Sequence, residues 1–196
     1  MRLPFIAKKG LRYVWLSSSD LPRGCGSGSP LHFKSRLADL PPDARIVIVE
    51  GVLKADVLFA LRPDLYIVAT PCVTANHDAL LHLARGRHAL IAFDADHSSN
   101  KAVCFHLASL IARRMRSEGT LATTRIASWD RQFKGIDDAA IRKIPISSIN
   151  ARSWLDRLSP HFRRIAMARF AELGAFPFQM KNKGGSQAVV AEVLAL

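Results

Sequence analysis

Two short apolar runs, each stopping at carboxylates, constrain the fold of this chain more than any other feature. Residues 45–51 read RIVIVEG and residues 89–96 read ALIAFDAD, ending at Glu50 and at Asp94 and Asp96. Neither run alternates apolar with polar residues, which is the pattern of a strand buried on both faces. Such strands belong mainly to parallel sheets covered by helices. In those sheets ligands bind beyond the carboxyl ends of the strands. Two acidic strand ends brought together there surround one point with carboxylates. In a chain of net charge +12, such a point is a candidate site for a hard divalent cation and a phosphate-bearing substrate.

The pattern around these runs alternates. After the strand at 45–50 comes an apolar-periodic helix at 54–61, stopped by Arg62-Pro63. A strand at 65–70 runs into Pro71, and Asn76 is placed to cap a helix at 77–85 that ends at Gly86. The strand at 88–93 is followed by Asn100, a cap for a long helix at 101–118 in which Val103, Leu107, Leu110, Ile111 and Met115 recur at helical spacing. Gly119 ends that helix, and residues 120–128 read as a fourth strand. The expected fold is α/β: a Rossmann-like, mostly parallel four-stranded sheet flanked by helices.

Domain boundaries follow. Residues 1–43 form a small N-terminal lead-in, with a candidate strand at 11–16 and a glycine-rich turn at 23–30; residues 44–143 form the α/β domain. Residues 143–150 read as a linker. Residues 150–196 form a basic helical C-terminal extension, with a helix or helix pair at 151–173 broken at Ser159-Pro160.

Charge narrows the partner. The chain carries 28 Lys and Arg against 16 Asp and Glu, an excess that favours a polyanion such as DNA. The three cysteines, Cys25, Cys72 and Cys104, form neither a zinc pair nor a disulfide framework. No leader pattern and no run of about 18 apolar residues is present, so a cytoplasmic location is expected.

The chemistry rests on few side chains. Glu50, followed by Gly51, is either a ligand or general acid/base at a strand end or the first solvated residue after the strand. Asp94 and Asp96, two apart on an extended strand end, point to the same side. They suit Mg²⁺, which takes one or two carboxylates plus water and phosphate oxygens; Mn²⁺ is the alternative. Asp137 and Asp138 either reach the same cluster or, for at least one, cap the next helix, the preferred reading. Lys134 either neutralises a substrate phosphate or is an exposed loop lysine. His97 is read as a solvated loop residue, since an all-oxygen site suits Mg²⁺ better. Cys72 and Cys104 are read as buried.

Taken together, residues 46–56 (IVIVEGVLKAD) and 93–103 (FDADHSSNKAV) resemble a Toprim domain, the module shared by bacterial primases, topoisomerases and some nucleases. The resemblance implies that Glu50 is the catalytic acid/base and that Asp94 and Asp96 bind Mg²⁺, with Asp56 in a structural role. It is closest to an uncharacterised Toprim-like group associated with phage and plasmid primase-helicases, through residues 49–56, Trp129-Asp130 and residues 134–138, and covers about residues 45–140. Pro71-Cys72-Val73 departs from the glycine usual in that loop. The implied activity is Mg²⁺-dependent, primase-like nucleotidyl transfer or phosphodiester cleavage on DNA, single- or double-stranded, with nucleotides and a replication helicase as further partners. The alternative is a non-catalytic nucleic-acid-binding module. Tyr13 and Tyr66 lie in expected strands, which argues against a topoisomerase nucleophile. No helicase phosphate loop occurs, so a complete primase-helicase is not expected.

The C-terminal segment supplies the phosphate-backbone candidates: Arg152, Arg157, Arg163, Arg164, Arg169, Lys181 and Lys183. Its aromatics, Trp154, Phe162, Phe170, Phe176 and Phe178, either stack bases or, as preferred, pack the helices onto the domain.

Overall fold

The computed structural model describes residues 2–4, 13–15, 30–33, 40–119 and 123–175. The chain divides into two units, Met1–Pro30 and Leu31–Leu196. In the first, β1 (Arg2–Pro4) pairs antiparallel with β2 (Tyr13–Trp15), so the strand expected at 11–16 is found as one arm of a two-stranded ribbon.

The second unit is built on a six-stranded sheet in the order β3 (His32–Phe33), β5 (Tyr66–Thr70), β4 (Arg45–Glu50), β6 (His88–Ala92), β7 (Thr124–Ser128), β8 (Ser147–Asn150). The pairs β4–β5, β4–β6 and β6–β7 are parallel, whereas β3–β5 and β7–β8 are antiparallel. The expectation of four strands is therefore corrected to a six-stranded mixed sheet. The two extra strands came from segments too short or too polar to read: the lead-in supplies β3, and the supposed linker supplies β8. Ser147 and Ser148 gave no apolar signal, yet β8 satisfies its backbone groups by pairing along β7.

Helices cover both faces. They are α1 (Val52–Leu61), α2 (His77–Leu83), α3 (Lys101–Glu118), α4 (Ile136–Ile141), α5 (Ala151–Arg157) and α6 (Pro160–Glu172). The period-two geometry of β4 splits its side chains between two cores. Ile46 and Ile48 pack with α2, α3, α5 and α6, while Val47 and Val49 pack with α1 and α4. Strand β6 divides in the same way, with Ala89 and Ile91 on one side and Leu90 and Ala92 on the other. This is why both runs are continuously apolar. Trp154, Leu155 and Phe170 belong to the same core as α3, so residues 151–175 are part of the domain's packing and not an appendage to it. Phe162 packs against that core as well, which answers the base-stacking alternative for three of the five aromatics; Phe176 and Phe178 lie outside the described residues.

The caps are partly as expected. Asn100 accepts from the backbone N–H groups of Ala102 and Val103 and so starts α3, which Gly119 ends at φ 67°. Asn76 does not cap with its side chain; it takes up a left-handed conformation, φ 61°, which Asn tolerates better than most residues. The helix pair is interrupted at Ser159-Pro160, with Pro160 as the first residue of α6. Cys104 is buried, whereas Cys72 is only half-buried, beside Thr74. Among the described residues no helix is long and apolar enough to cross a membrane.

One charged side chain holds the amino end of the sheet. Arg114, 1% exposed on α3, donates to Thr124 Oγ1 at 2.7 Å, to Ala84 O at 2.8 Å, to Thr123 Oγ1 at 3.2 Å and to Arg87 O. It thereby ties α3 to the segments that enter β6 and β7. Arg114→Met keeps the apolar stem but leaves these acceptors unpartnered, and is expected to cost about 3 kcal/mol. Urea titration should show a lower midpoint with an unchanged slope.

Candidate metal centre

The site begins with the direction in which the chain leaves two neighbouring strands. From the carboxyl end of β4 it turns into α1 on one face of the sheet; from the carboxyl end of β6 it leads to α3 on the other. Because β4 and β6 are adjacent and parallel, their carboxyl ends form the switch point beyond which such sheets bind ligands. Val49 pairs with Ala92, so Glu50 and Asp94 come off the two strands at nearly the same level. Gly51, at φ 94°, makes the sharp turn into α1, and its N–H donates to Thr70 O at 2.8 Å.

The structure brings Glu50, Asp94 and Asp96 into one electrostatic cluster. Burial pushes the Glu50 carboxyl above its ordinary value, and the neighbouring Asp94 and Asp96 push it the same way; Lys54 and Lys134 pull it back. Asp94 is buried at 6% exposure and pairs through Oδ1 with the Lys54 ammonium. Its Oδ2 lies 3.5 Å from Lys134 Nζ. Lys134 is largely exposed, as a loop lysine would be, yet it reaches the buried carboxylate; its carbonyl also accepts from Ala95 N at 2.9 Å. Asp96 is the second residue of the 3₁₀ turn Ala95–Ser98 and accepts from Asn100 Nδ2 at 3.3 Å through Oδ2.

Among the described residues two buried carboxylate oxygens have no hydrogen-bond partner, Asp96 Oδ1 and Asp137 Oδ1. Neither Asp137 nor Asp138 caps α4: the cap position is Gly135, without a side-chain bond. The capping preference is thus corrected, because the helix starts two residues too early for Asp137, and three for Asp138, to stand at the cap. Asp137 instead lies over Gly135, where an added Cβ would fall 2.1 Å from Asp137 Oδ1 and 3.2 Å from Lys54 Cε. Asp137 and Lys54 therefore meet at this glycine, which places Asp137 beside the acidic cluster; Asp138 is exposed.

Lys54 is the site residue that sequence reasoning left without a role. Its one signal was position: four residues after Glu50, in the first turn of the helix that follows. Asp56, by contrast, hydrogen-bonds His32 Nε2 at 2.9 Å and ties α1 toward β3, a structural role. His97 is corrected from solvated to packed. Its Nδ1 accepts from Trp154 Nε1 at 3.2 Å, and burial, with Arg131 nearby, pushes its pKa down to about 4.

The basic candidates separate. Arg152, Arg157, Arg163 and Arg164 are exposed, Arg163 in an ion pair with Asp156 at 3.0 Å. Arg169 is withdrawn from the surface set. Its Nε donates to Ser109 Oγ at 2.7 Å and its guanidinium lies 4.6 Å from the Phe105 ring centre, so it fastens α6 to α3. Lys181 and Lys183 lie outside the described residues.

The donor chemistry fits a hard divalent cation: the cluster offers only carboxylate oxygens, two of them buried and unpartnered. Among the described residues no three His, Cys, Asp or Glu side chains already stand around one point at ligating distance. The Lys54 ammonium supplies the positive charge on Asp94 instead.

Because its folded-state pKa lies above the ordinary 4.5, Glu50 binds its proton more tightly folded than unfolded. Native stability therefore falls as pH rises from about 4.5 through the raised value, then levels off. Glu50→Gln should melt higher than the wild type at pH 8 in metal-free buffer. The difference should close as the pH is lowered toward 4, which thermal unfolding at the two pH values will read.

No protein-family model matches the chain, and neither the curated proteins nor the solved structures contain a match.

Proposed function

We propose that this protein is a Mg²⁺-dependent, Toprim-like protein acting on DNA, by nucleotidyl transfer or phosphodiester cleavage in the replication of a mobile element. The observation that carries the reading is the electrostatic coupling of Glu50 to Asp94 and Asp96 past the carboxyl ends of β4 and β6, with oxygens on Asp96 and Asp137 that lack a hydrogen-bond partner among the described residues. Glu50, Asp94 and Asp96 would hold the Mg²⁺ or Mn²⁺ ion, with Asp137 as a further oxygen donor. Bound there, the ion would neutralise phosphate charge and stabilise the leaving oxygen.

The remaining chemistry belongs to the chain's own groups. Glu50, whose proton affinity is raised by burial and by its acidic neighbours, is suited to take or give a proton at the reacting oxygen. Lys134, exposed on one side and against Asp94 on the other, can turn toward a phosphate oxygen. Arg152, Arg157, Arg163 and Arg164 offer an exposed basic surface on α5 and α6 for the nucleic-acid backbone. Nucleotides and a replication helicase are further partners on this reading, and its site is the cytoplasm.

A second reading has one observation in its favour. Both oxygens of Asp94 are already engaged by lysines, as in a scaffold that binds nucleic acid without catalysis.

Labelled single- and double-stranded DNA, incubated with Mg²⁺ or Mn²⁺ with and without nucleotides, distinguishes the two. The catalytic reading expects extended or cleaved product, lost by about 10²-fold or more in Glu50→Gln. Absence of any product, or full activity in Glu50→Gln, rejects it. On either reading, Arg163→Ala with Arg164→Ala should weaken DNA binding and lower the salt slope by about one per arginine removed.

A further inference from the structure

Beside the acidic cluster lies a cavity of the opposite character. It has a volume of about 130 Å³ and opens at the carboxyl end of β7, against the 3₁₀ turn that carries Asp96. Ala95, between the two aspartates, forms part of its wall, so the cavity and the acidic cluster share one stretch of backbone.

Its polar lining consists of donors. Arg131 and Arg157 stand at the rim with Ser128 and His97 beside them, and the indoles of Trp129 and Trp154 close the sides. No carboxylate lines the cavity, and neither arginine has a carboxylate within ion-pair distance among the described residues. The indole N–H groups are already used, Trp129 Nε1 donating to Phe133 O at 2.7 Å and Trp154 Nε1 to His97 Nδ1. With Nδ1 accepting from the Trp154 indole N–H, the His97 proton sits on Nε2, which makes that atom a donor. Among the described residues Arg157 Nη1 reaches only Ser128 Oγ, at 3.4 Å. Two guanidinium groups, a hydroxyl and an imidazole N–H are thus left to face one small space.

Size limits what enters. Whole small-molecule ligands occupy pockets of about 300 Å³ or more, whereas a cavity near 150 Å³ holds a single small ring. A space of 130 Å³ takes one compact group rather than a nucleotide. A lining of donors selects an anion, and paired arginines favour the planar, two-point recognition that phosphate allows.

We propose that this cavity is a binding subsite for a terminal phosphoryl group, held by Arg131 and Arg157 with Ser128 and His97. The group is a phosphomonoester, carried either by a free nucleotide or by the end of a nucleic-acid strand. An internal phosphodiester would have to thread a chain through the cavity. The inference goes beyond the function proposed above, since it concerns a separate cavity and needs no metal.

The test uses the full chain in EDTA, so that it reads the subsite whether or not the acidic centre is catalytic. Inorganic phosphate, titrated calorimetrically at constant ionic strength against a chloride control, should bind saturably at one site. Arg131→Ala combined with Arg157→Ala should weaken that binding at least tenfold, while Arg116→Ala, in the last turn of α3, should leave it unchanged. Both rim arginines are exposed, so the variants are expected to fold; circular dichroism checks this, and the single Arg131→Gln and Arg157→Gln variants serve if the double one does not. A 5′-phosphorylated oligonucleotide that outbinds its 5′-hydroxyl twin, with the difference lost in the double variant, assigns the strand end as the source. Equal binding of the two oligonucleotides, with nucleoside monophosphate bound, assigns the free nucleotide. A wild type that does not bind phosphate saturably, or a double variant that binds it undiminished, overturns the proposal.

Discussion

The candidate site depends on one topological constraint: the chain leaves two adjacent parallel strands on opposite faces of the sheet. Strand β4 feeds α1 and strand β6 leads to α3, and the helices cannot both close over the gap between them. A parallel sheet needs such crossovers, and wherever their sense reverses a crevice forms at the carboxyl edge. Everything proposed about chemistry lies along that edge: Glu50 after β4, Asp94 and Asp96 after β6, and Ser128 and Trp129 at the end of β7 and just beyond it. The opposite edge is treated differently. There Arg114, buried and surrounded by carbonyl and hydroxyl oxygens, sews the helices to the strand starts. One end of the sheet spends its polar groups on structure and the other keeps some uncommitted.

Electrostatics at the carboxyl edge works against stability. Three carboxylates share a partly desolvated place, and Glu50 is held away from its ionised form by burial and by its neighbours. The lysines relieve this only in part. Lys54 engages Asp94 from the first turn of α1 and Lys134 approaches it from the loop before α4. Among the described residues Asp96 Oδ1 and Asp137 Oδ1 remain without partners. Buried polar atoms are nearly always satisfied, so orphaned acceptors beside a cluster of like charge mark a place where a ligand's charge would be welcome.

The neighbouring cavity is complementary to that centre. Among the described residues its arginines lack carboxylate partners, while the acidic cluster has more carboxylates than cations, and residues 94–97 separate the two. Carboxylate oxygens suit a metal ion and fixed guanidinium donors suit phosphate oxygens. Here one backbone segment has the acids on one side and His97 on the other.

The sequence by itself determined the alternation of strand and helix, the central strands, the long helix with its Asn100 cap, and the identity of the acidic residues. Each of these is a local signal: β-branched runs, 3.6-residue periodicity, a cap chemistry, a carboxylate at a strand end. What only the tertiary structure decided is where non-local partners meet. Strand β8 is polar and short, and exists because β7 offers it an edge. Arg169 reads as a surface charge until Ser109 and Phe105 are seen beneath it, and His97 reads as solvated until Trp154 is seen against it. Lys54 gains its role from a carboxylate forty positions away, delivered by the parallel pairing of β4 with β6. Local propensity sets which residues lie at strand ends; only the packed sheet sets which ends are neighbours, because that choice is made by burial on both faces at once.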